Sequence, residues 1–493
     1  MLSLIHILFG VQPKITRQMP HIPAEWQGVA FSDVVTDSRQ VVPGVLFVAL
    51  AGDHTDGHNF LTEAAQRGAV GALVQSTAIE PRRTELEQLE RPWILLDPAT
   101  GDGLSTTPSS TFLLIGVDDP LMALQRLAVY HRRQFTPTVV GITGSVGKTS
   151  TKEVIAAVLQ RRFCTLKSQR SYNSEVTIPT TLLQLTAAHD VAVLELGMWA
   201  PGEIRFLADL ARPQIGVVTN IGPSHLERLG SIEAITHAKA ELVESLPADG
   251  VAILNVDDER VMSMAGRTAA RVLRYGLDPA AELWADAIES RGMEGIAFRA
   301  HYQDEEVYLV LPLLGRHSVH TALSAIAVGL TLGMGWDDIV AGLEDKNTQL
   351  RLFIVPGVGG AQIIDDTYNA APASSLAALN LLADLNGRRI AVLGDMLELG
   401  TAEESAHRMV GRRVAEVAQQ LICIGSRAQW IAEEARLSGM DPANILVFER
   451  NNDVVDALQA MLRPGDYVLV KGSRGVALEQ IVTALQRHPE EVK

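Results

Sequence analysis

Apolar, β-branched runs alternate with helical stretches along most of the chain. Between residues 138 and 256 the runs TVVGIT, VAVLEL, IGVVTNIG and VAILNV are nearly continuous, and helical segments such as 152–161 separate them. Strands that read as unbroken apolar runs are buried on both faces, so the pattern predicts a parallel sheet covered by helices, an α/β domain. A second series, AQIIDD, RRIAVLGD, QLICIG, ILVF and DYVLVKG, again interleaved with helices, predicts another doubly wound unit towards the C-terminus. In the first third the apolar runs are shorter, at 45–50, 71–74 and 93–96, and turn residues divide them. Residues 101–110, GDGLSTTPSS, have the composition of a linker. One boundary is therefore expected between that stretch and Pro137, and a second near 345–350, where the new strand series begins.

Composition narrows the class. A chain of 493 residues exceeds the ~250–300 at which single cores stop growing, so two to four domains are expected. The apolar fraction of 47% and charged fraction of 20% are those of a globular protein, which excludes disorder, collagen and coiled coil. A formal charge of −16 argues against general nucleic-acid or anionic-membrane binding but leaves room for a local basic pocket that takes a phosphorylated small molecule. Cys164 and Cys423 are the only cysteines and no Cys/His cluster has zinc spacing, so a reducing compartment and no structural metal are expected. No apolar stretch approaches the ~20 residues of a membrane helix, and residues 1–11 lack a signal peptide's basic region and cleavage site. The expectation is a cytoplasmic protein without membrane insertion, with an N-terminal extension over 1–20 of unknown role.

Chemistry concentrates at strand ends. In 138–153, TVVGITGSVGKTSTKE, a strand runs into a glycine loop and then a helix, the setting of a phosphate-binding loop. Gly144 and Gly147 let the backbone approach a phosphate, with Ser145 between them. Lys148 can reach the β- and γ-phosphates, the Thr149 hydroxyl can ligate Mg²⁺, Ser150 follows, and the helix N-terminus adds partial positive charge. Ile142 stands where the full spacing has glycine, so the loop is a shortened variant, G-S-V-G-K-T. Glu195 ends VAVLE as a candidate magnesium carboxylate, although a solvated strand end reads the same. Asn220 and His225 lie in the polar loop after IGVV; Lys239, in ITHAKAEL, reads as an ordinary solvated helix lysine. Three C-terminal strand ends carry polar clusters: Asp365, Asp366, Tyr368 and Asn369; Asp395 and Glu398; and Lys471, Ser473 and Arg474. Ligands of open α/β sheets bind at such ends.

Together the segments TDSRQVVPGVLFVALAGDHTDGHNF (36–60), ITGSVGKTSTKE (142–153), YNSEVTIPTTLL (172–183), ELGMWAPGEI (195–204), TNIGPSHLERLGS (219–231), AKAEL (238–242), GRHSVHTALSA (315–325), IDDTYNAAP (364–372), VLGDMLELG (392–400) and VKGSRG (470–475) resemble the Mur ligases, ATP-dependent amide-forming enzymes of cell-wall precursor synthesis. The resemblance runs from about Thr36 to about Leu485. It implies three domains: a smaller α/β domain at 21–132 for the UDP end of the substrate, a central ATP-binding P-loop-type parallel sheet at 133–346, and a Rossmann-like domain at 347–493. It implies that UDP-N-acetylmuramoyl-tripeptide and D-alanyl-D-alanine are joined through an acyl phosphate, with ATP and Mg²⁺, by a monomer. Position by position, the resemblance gives Lys148 and Thr149 to phosphate and Mg²⁺, and Glu195 and His225 to the metal. Lys239 becomes a carbamate derived from CO₂. Arg351, Asp366, Tyr368 and Asn369 close over ATP, Ser38 and Arg39 hold UDP, and Lys471, Ser473 and Arg474 lie near the dipeptide. The family often has asparagine where this chain has Ser318 and Thr321, the second position normally helping to hold adenine, and glycine where Leu350 precedes Arg351.

Three other readings compete. The relative that adds a single third amino acid usually carries Asn-Pro-Arg, which is absent here, whereas GDMLELG and DDTYNAAP favour dipeptide addition. A folylpolyglutamate-synthetase-like ligase lacks the UDP domain suggested by residues 36–75. A non-catalytic nucleotide-binding relative would have lost Lys148, Glu195 or Lys239, and all three are present.

Overall fold

The computed structural model describes residues 1–15, 17–52, 55–104, 111–345 and 353–487. The chain folds into two compact units, one comprising 1–138, 168–192 and 206–212, the other 139–167, 193–205 and 213–493. The mixed α/β class expected from the strand pattern is observed in both.

The first unit is built on a five-stranded parallel sheet in the order Val34–Val35, Leu46–Val48, Gly71–Gln75, Phe112–Val117, Trp93–Leu96. The wholly apolar run at 112–117 supplies a strand that was not among the expected ones. Helix Pro120–Arg132 follows it: the Asp119 side chain accepts from Met122 N at 3.0 Å, proline takes the first turn, and Ala123, Leu124, Leu127, Ala128 and His131 form the buried stripe. The N-terminal extension is part of this unit. Leu2–Ser3 pairs antiparallel with Ala30–Phe31, and helix Leu4–Val11 packs on Pro120–Arg132 with Leu4, Ile7, Leu8 and Val11 buried.

The second unit contains the two sheets that position the site. The larger has nine strands in the order Glu305–Leu311, Ile296–Tyr302, Leu283–Ser290, Arg271–Gly276, Val251–Asn255, Ile215–Val218, Thr138–Thr143, Val191–Glu195, Thr165–Lys167. Pairing is parallel from Thr138–Thr143 out to Leu283–Ser290. Beyond that the sheet departs from the parallel expectation, because the last two strands form an antiparallel meander with short turns. The edge strand Glu305–Leu311 is exposed at its start and alternates buried and exposed residues over 308–311, whereas Val191–Glu195 is buried at every position. The helix expected at 152–161 is Lys148–Leu159, beginning one turn earlier because Gly147, at φ 86°, turns the chain directly into it.

The C-terminal sheet has the order Phe353–Pro356, Gln362–Asp366, Asp466–Lys471, Arg388–Gly394, Gln420–Ile424, Ile445–Phe448. All pairs are parallel except the first, an antiparallel edge strand not foreseen in the sequence. Separate apolar clusters cover its faces: Leu379, Leu382, Val410 and Ile431 on one, Val454, Leu458, Ile481 and Leu485 on the other. It is doubly wound, as expected.

One contact of the extension titrates. His131 Nε2 donates to the Leu185 carbonyl at 2.9 Å, so its Nδ1 accepts from His6 Nε2 at 3.1 Å. Burial, and then the neighbouring His131, lower the His6 pKa from 6.5 to about 4, and burial lowers that of His131. A histidine with a depressed folded pKa favours the folded state above its unfolded value and loses that contribution as pH falls through its folded one. Between pH 6.5 and 4 the thermal midpoint of the first unit is therefore expected to fall more steeply in the parent protein than in His6→Gln, which keeps a donor but does not titrate. Parallel pH profiles would contradict this.

Candidate active site

The glycine loop leaves the nine-stranded sheet at Thr143, at the end of the third strand from one edge, and two geometric constraints shape it. Gly144 has φ 146°, and a Cβ there would stand 1.9 Å from Thr219 Oγ1, so only glycine fits. Gly147 is left-handed and caps the helix. The Thr219–Asn220 turn holds the loop from below. Ser145 N donates to the Asn220 carbonyl at 2.9 Å and Val146 N to Asn220 Oδ1 at 2.9 Å. Thr219 Oγ1 and Asn220 Nδ2 both donate to the Val146 carbonyl, at 2.8 and 2.9 Å. Asn255, at the end of the next strand, donates to the Thr219 carbonyl at 3.0 Å.

The charged groups expected around this loop converge on it. Lys148 Nζ donates to the Gly144 carbonyl at 2.9 Å, and Lys239 Nζ, from helix Ile232–Glu244, donates to the same oxygen at 2.9 Å. Lys239 is buried rather than solvated as its local sequence suggested, and burial together with the charge of Lys148 holds its pKa well below the usual lysine value. Thr149 Oγ1 donates to Glu195 Oε2 at 2.6 Å, with Glu195 wholly buried at its strand end.

A cleft enclosing about 1070 Å³, including space open to solvent, runs from residues 145–150 to the C-terminal sheet. Its far wall contains Asp366, Tyr368, Asn369 and Lys471. Ser318 and Thr321, on helix Ser318–Thr331, line it as well. Lys471 is buried, its Nζ 2.7 Å from Asp366 Oδ2 and 2.9 Å from the Asn369 carbonyl, so it holds the IDDTYN turn in place. The loop residues expected on the ATP side and those of the C-terminal turn thus face one volume.

Other expected residues lie elsewhere. His225 pairs through Nδ1 with Glu398 Oε2 at 2.7 Å and is not part of the cleft lining; that hydrogen bond holds the Glu398 pKa below the usual carboxylate range. Ser473 Oγ accepts from Leu397 N at 2.9 Å, and the Arg474 guanidinium lies 5.7 Å from the Tyr368 ring centre. In the first unit Ser38 is buried, whereas Arg39 is exposed and paired with Asp37 at 2.7 Å. Arg351 lies outside the described residues.

The donors fit a hard divalent cation in part. Glu195 and Thr149 supply oxygen ligands of the kind Mg²⁺ prefers, and Ser224 Oγ, next to His225, is buried with no hydrogen-bond partner among the described residues. Among those residues no three His, Cys, Asp or Glu side chains gather closely enough to hold a metal. Phosphate oxygens, water or a modified Lys239 would have to complete the set. Thr219 and Asn255 escaped the sequence reading. The signal that singled out Asn220, a polar residue directly after an apolar strand, applies equally to both.

Three family models match the chain: Mur ligase family, catalytic domain, over 31–100; Mur ligase middle domain over 142–329; and Mur ligase, glutamate ligase domain, over 350–474. Among curated proteins, the UDP-N-acetylmuramoyl-tripeptide–D-alanyl-D-alanine ligase of Synechocystis sp. is 35% identical over 93% of this chain and 93% of its own. The enzyme of the same description from Bacillus subtilis is 33% identical over 94% and 95%. Of solved structures, MurF from Acinetobacter baumannii aligns with a TM-score of 0.77 at 27% identity over 98% of both chains. MurF from Thermotoga maritima in complex with ADP aligns at 0.73 and 25% identity, over 92% of this chain and 96% of that one.

The Lys471–Asp366 pair makes its own prediction. Removing one partner of a buried ion pair strands the other charge and costs about 3–5 kcal/mol. Asp366→Ala is therefore expected to lower the thermal midpoint clearly, and Asp366→Ala/Lys471→Met to recover much of the loss. An unchanged midpoint in the single variant would show that Lys471 is not held as described.

Proposed function

The chain belongs to the Mur ligase family, and on that premise we propose that it joins D-alanyl-D-alanine to UDP-N-acetylmuramoyl-tripeptide while converting ATP to ADP and phosphate. The observation that carries this reading is the cleft in which the glycine loop and Lys148 face Asp366, Tyr368 and Asn369, with Lys239 bonded to the same loop from behind. Relatives named for this reaction align over more than nine-tenths of the chain. A match of the family's catalytic-domain model at 31–100 argues against a ligase that lacks the first domain.

The chemistry follows from charge. A carboxylate is a poor electrophile, so the tripeptide's terminal carboxylate attacks the γ-phosphorus of ATP, forming an acyl phosphate and releasing ADP. The amine of D-alanyl-D-alanine, having lost its proton, attacks the acyl carbon, and the tetrahedral adduct expels phosphate. Both partners in the first step are anions, so binding them needs fixed positive charge. Lys148 sits where it can supply it, and the first-turn N–H groups of helix Lys148–Leu159 point the same way. Mg²⁺, held by Thr149, Glu195, His225 and Lys239 as its carbamate, would neutralise charge between phosphate and carboxylate. The depressed pKa of Lys239 favours that carbamate, since the neutral amine attacks CO₂ and releases a proton.

We assign Asp366, Tyr368, Asn369 and Arg351 to closure over ATP, Ser145, Ser150 and Asn220 to the phosphate loop, Ser38 and Arg39 to the UDP end, and Ser473 and Arg474 to the dipeptide region. Lys471 acts through Asp366. Residues 21–132, 133–346 and 347–493 would be the corresponding domains. No helix among the described residues is long and apolar enough to cross a membrane; a cytoplasmic site of action fits nucleotide-linked substrates.

Phosphate release from ATP is expected only when UDP-N-acetylmuramoyl-tripeptide and D-alanyl-D-alanine are both present. Lys148→Ala is expected to lower kcat by about 10²–10³ with the fold intact, the usual effect of removing one fixed donor from a developing charge. Turnover that ignores the dipeptide and responds to a single amino acid would instead identify the ligase that adds the third residue.

A further inference from the structure

The ligation chemistry gives the segment GDMLELG, at 394–400, no task. In the structure its Glu398 reaches across to the central domain's loop at 222–230, where Glu398 Oε2 lies 2.7 Å from His225 Nδ1. A carboxylate can only accept, so His225 carries a proton on Nδ1, and the neutral tautomer that this bond selects has its lone pair on Nε2. This is the arrangement by which carboxylates orient metal-binding histidines.

Both partners are held in place from elsewhere. Glu398 and His225 are non-glycine residues in the left-handed region, at φ 66° and 57°, which is uncommon. The pair is partly exposed, with side chains 35% and 21% accessible, so it contributes little to stability and does not account for the backbone geometry. The three residues before Glu398 are pinned individually. The Asp395 carbonyl accepts from Ser473 N at 2.9 Å, Met396 N donates to His407 Nε2 at 3.0 Å, and Leu397 N donates to Ser473 Oγ at 2.9 Å. On the other side Glu227 N donates to the Glu398 carbonyl at 3.1 Å, and the Trp199 ring stands edge-on to the imidazole at 5.3 Å. The Ser224 hydroxyl beside it is the orphaned group described in the candidate site. A loop of the C-terminal domain held by these bonds therefore presents one carboxylate to one histidine whose ring, among the described residues, is otherwise contacted by an aromatic edge.

We propose that Glu398 is a positioning residue: it fixes the tautomer and orientation of His225 so that Nε2 can take a divalent cation, and it makes that ligand complete only while the 395–400 loop is docked on 222–230. Docking of the C-terminal domain and cation binding are thereby coupled through a single hydrogen bond. The inference rests on the reading of His225 as a cation ligand.

The test is Mn²⁺ binding to the ADP-loaded protein, followed by electron paramagnetic resonance, for the parent chain, Glu398→Ala, Glu398→Gln, His225→Ala and the double alanine variant, with thermal midpoints as a check of folding. Loss of a carboxylate that orients a metal-binding histidine typically costs about 10–100-fold in affinity. Glu398→Ala is expected to weaken Mn²⁺ binding about tenfold. Glu398→Gln, whose amide oxygen still accepts from Nδ1, should recover most of that, and the double variant should bind no more weakly than His225→Ala alone. If His225→Ala weakens binding and Glu398→Ala stays within twofold of the parent, the positioning role is wrong while the cation reading stands. If His225→Ala has no effect, the cation reading fails and this inference with it. Should Glu398→Ala be unfolded, Glu398→Leu, which keeps bulk but cannot accept, takes its place in the comparison.

Discussion

Two lysines share one acceptor. Lys148 and Lys239 both donate to the Gly144 carbonyl at 2.9 Å, so their nitrogens lie within about 6 Å of each other. Two ammonium ions at that separation repel by about 3 kcal/mol at an effective dielectric of ~20. Lys239, buried and hydrogen-bonded to a carbonyl rather than a carboxylate, is the one whose pKa is pushed well below the usual lysine value, by burial first and by the charge of Lys148 second. One convergence thus yields two chemically different amines on a single loop: a cation facing the cleft and, behind it, an amine that gives up its proton more readily. Everything proposed for the phosphate site depends on that division.

The surrounding architecture can be read as what the convergence requires. The Gly144 carbonyl points at both lysines only if the backbone takes a conformation without room for a Cβ, since Thr219 Oγ1 fills that place. Thr219 and Asn220 can brace the loop because parallel pairing brings the ends of Ile215–Val218 and Thr138–Thr143 level, and Asn255 braces them from the next strand. The cleft then needs a second wall. The C-terminal sheet provides it with a turn kept rigid by a buried lysine, so that Asp366, Tyr368 and Asn369 are presented by a fixed backbone.

The legible parts were those in which the chemistry is written into consecutive residues. The run 138–153 carries strand, glycines, lysine and helix in order, and Glu195 stands at the end of a strand buried at every position; both could be found without coordinates. The residue pattern around Lys239 does not single it out, because a lysine on an amphipathic helix reads as solvated unless one knows that a carbonyl awaits it on another element; only the family resemblance named it. His225 and Glu398 were each named at their strand ends, but their contact was not legible, since they are 173 residues apart in sequence and meet across two loops. The antiparallel meander at 283–311 alternates in Leu283–Ser290 and at the end of Glu305–Leu311, but its middle strand, Ile296–Tyr302, is buried at most positions and gives no such signal. Residues 2–11 were visibly apolar, yet their partner, the helix Pro120–Arg132, is unrelated to them in sequence.

The neutral state of Lys239 is the central claim, and CO₂ probes it directly. Protein equilibrated with ¹³C-bicarbonate at neutral pH is expected to show a carbamate carbon resonance by NMR that disappears in Lys239→Met. In Lys148→Met, where the neighbouring charge no longer depresses the amine's pKa, the resonance should need higher pH to reach the same intensity. A spectrum without a carbamate resonance, or one that survives in Lys239→Met, would contradict the account.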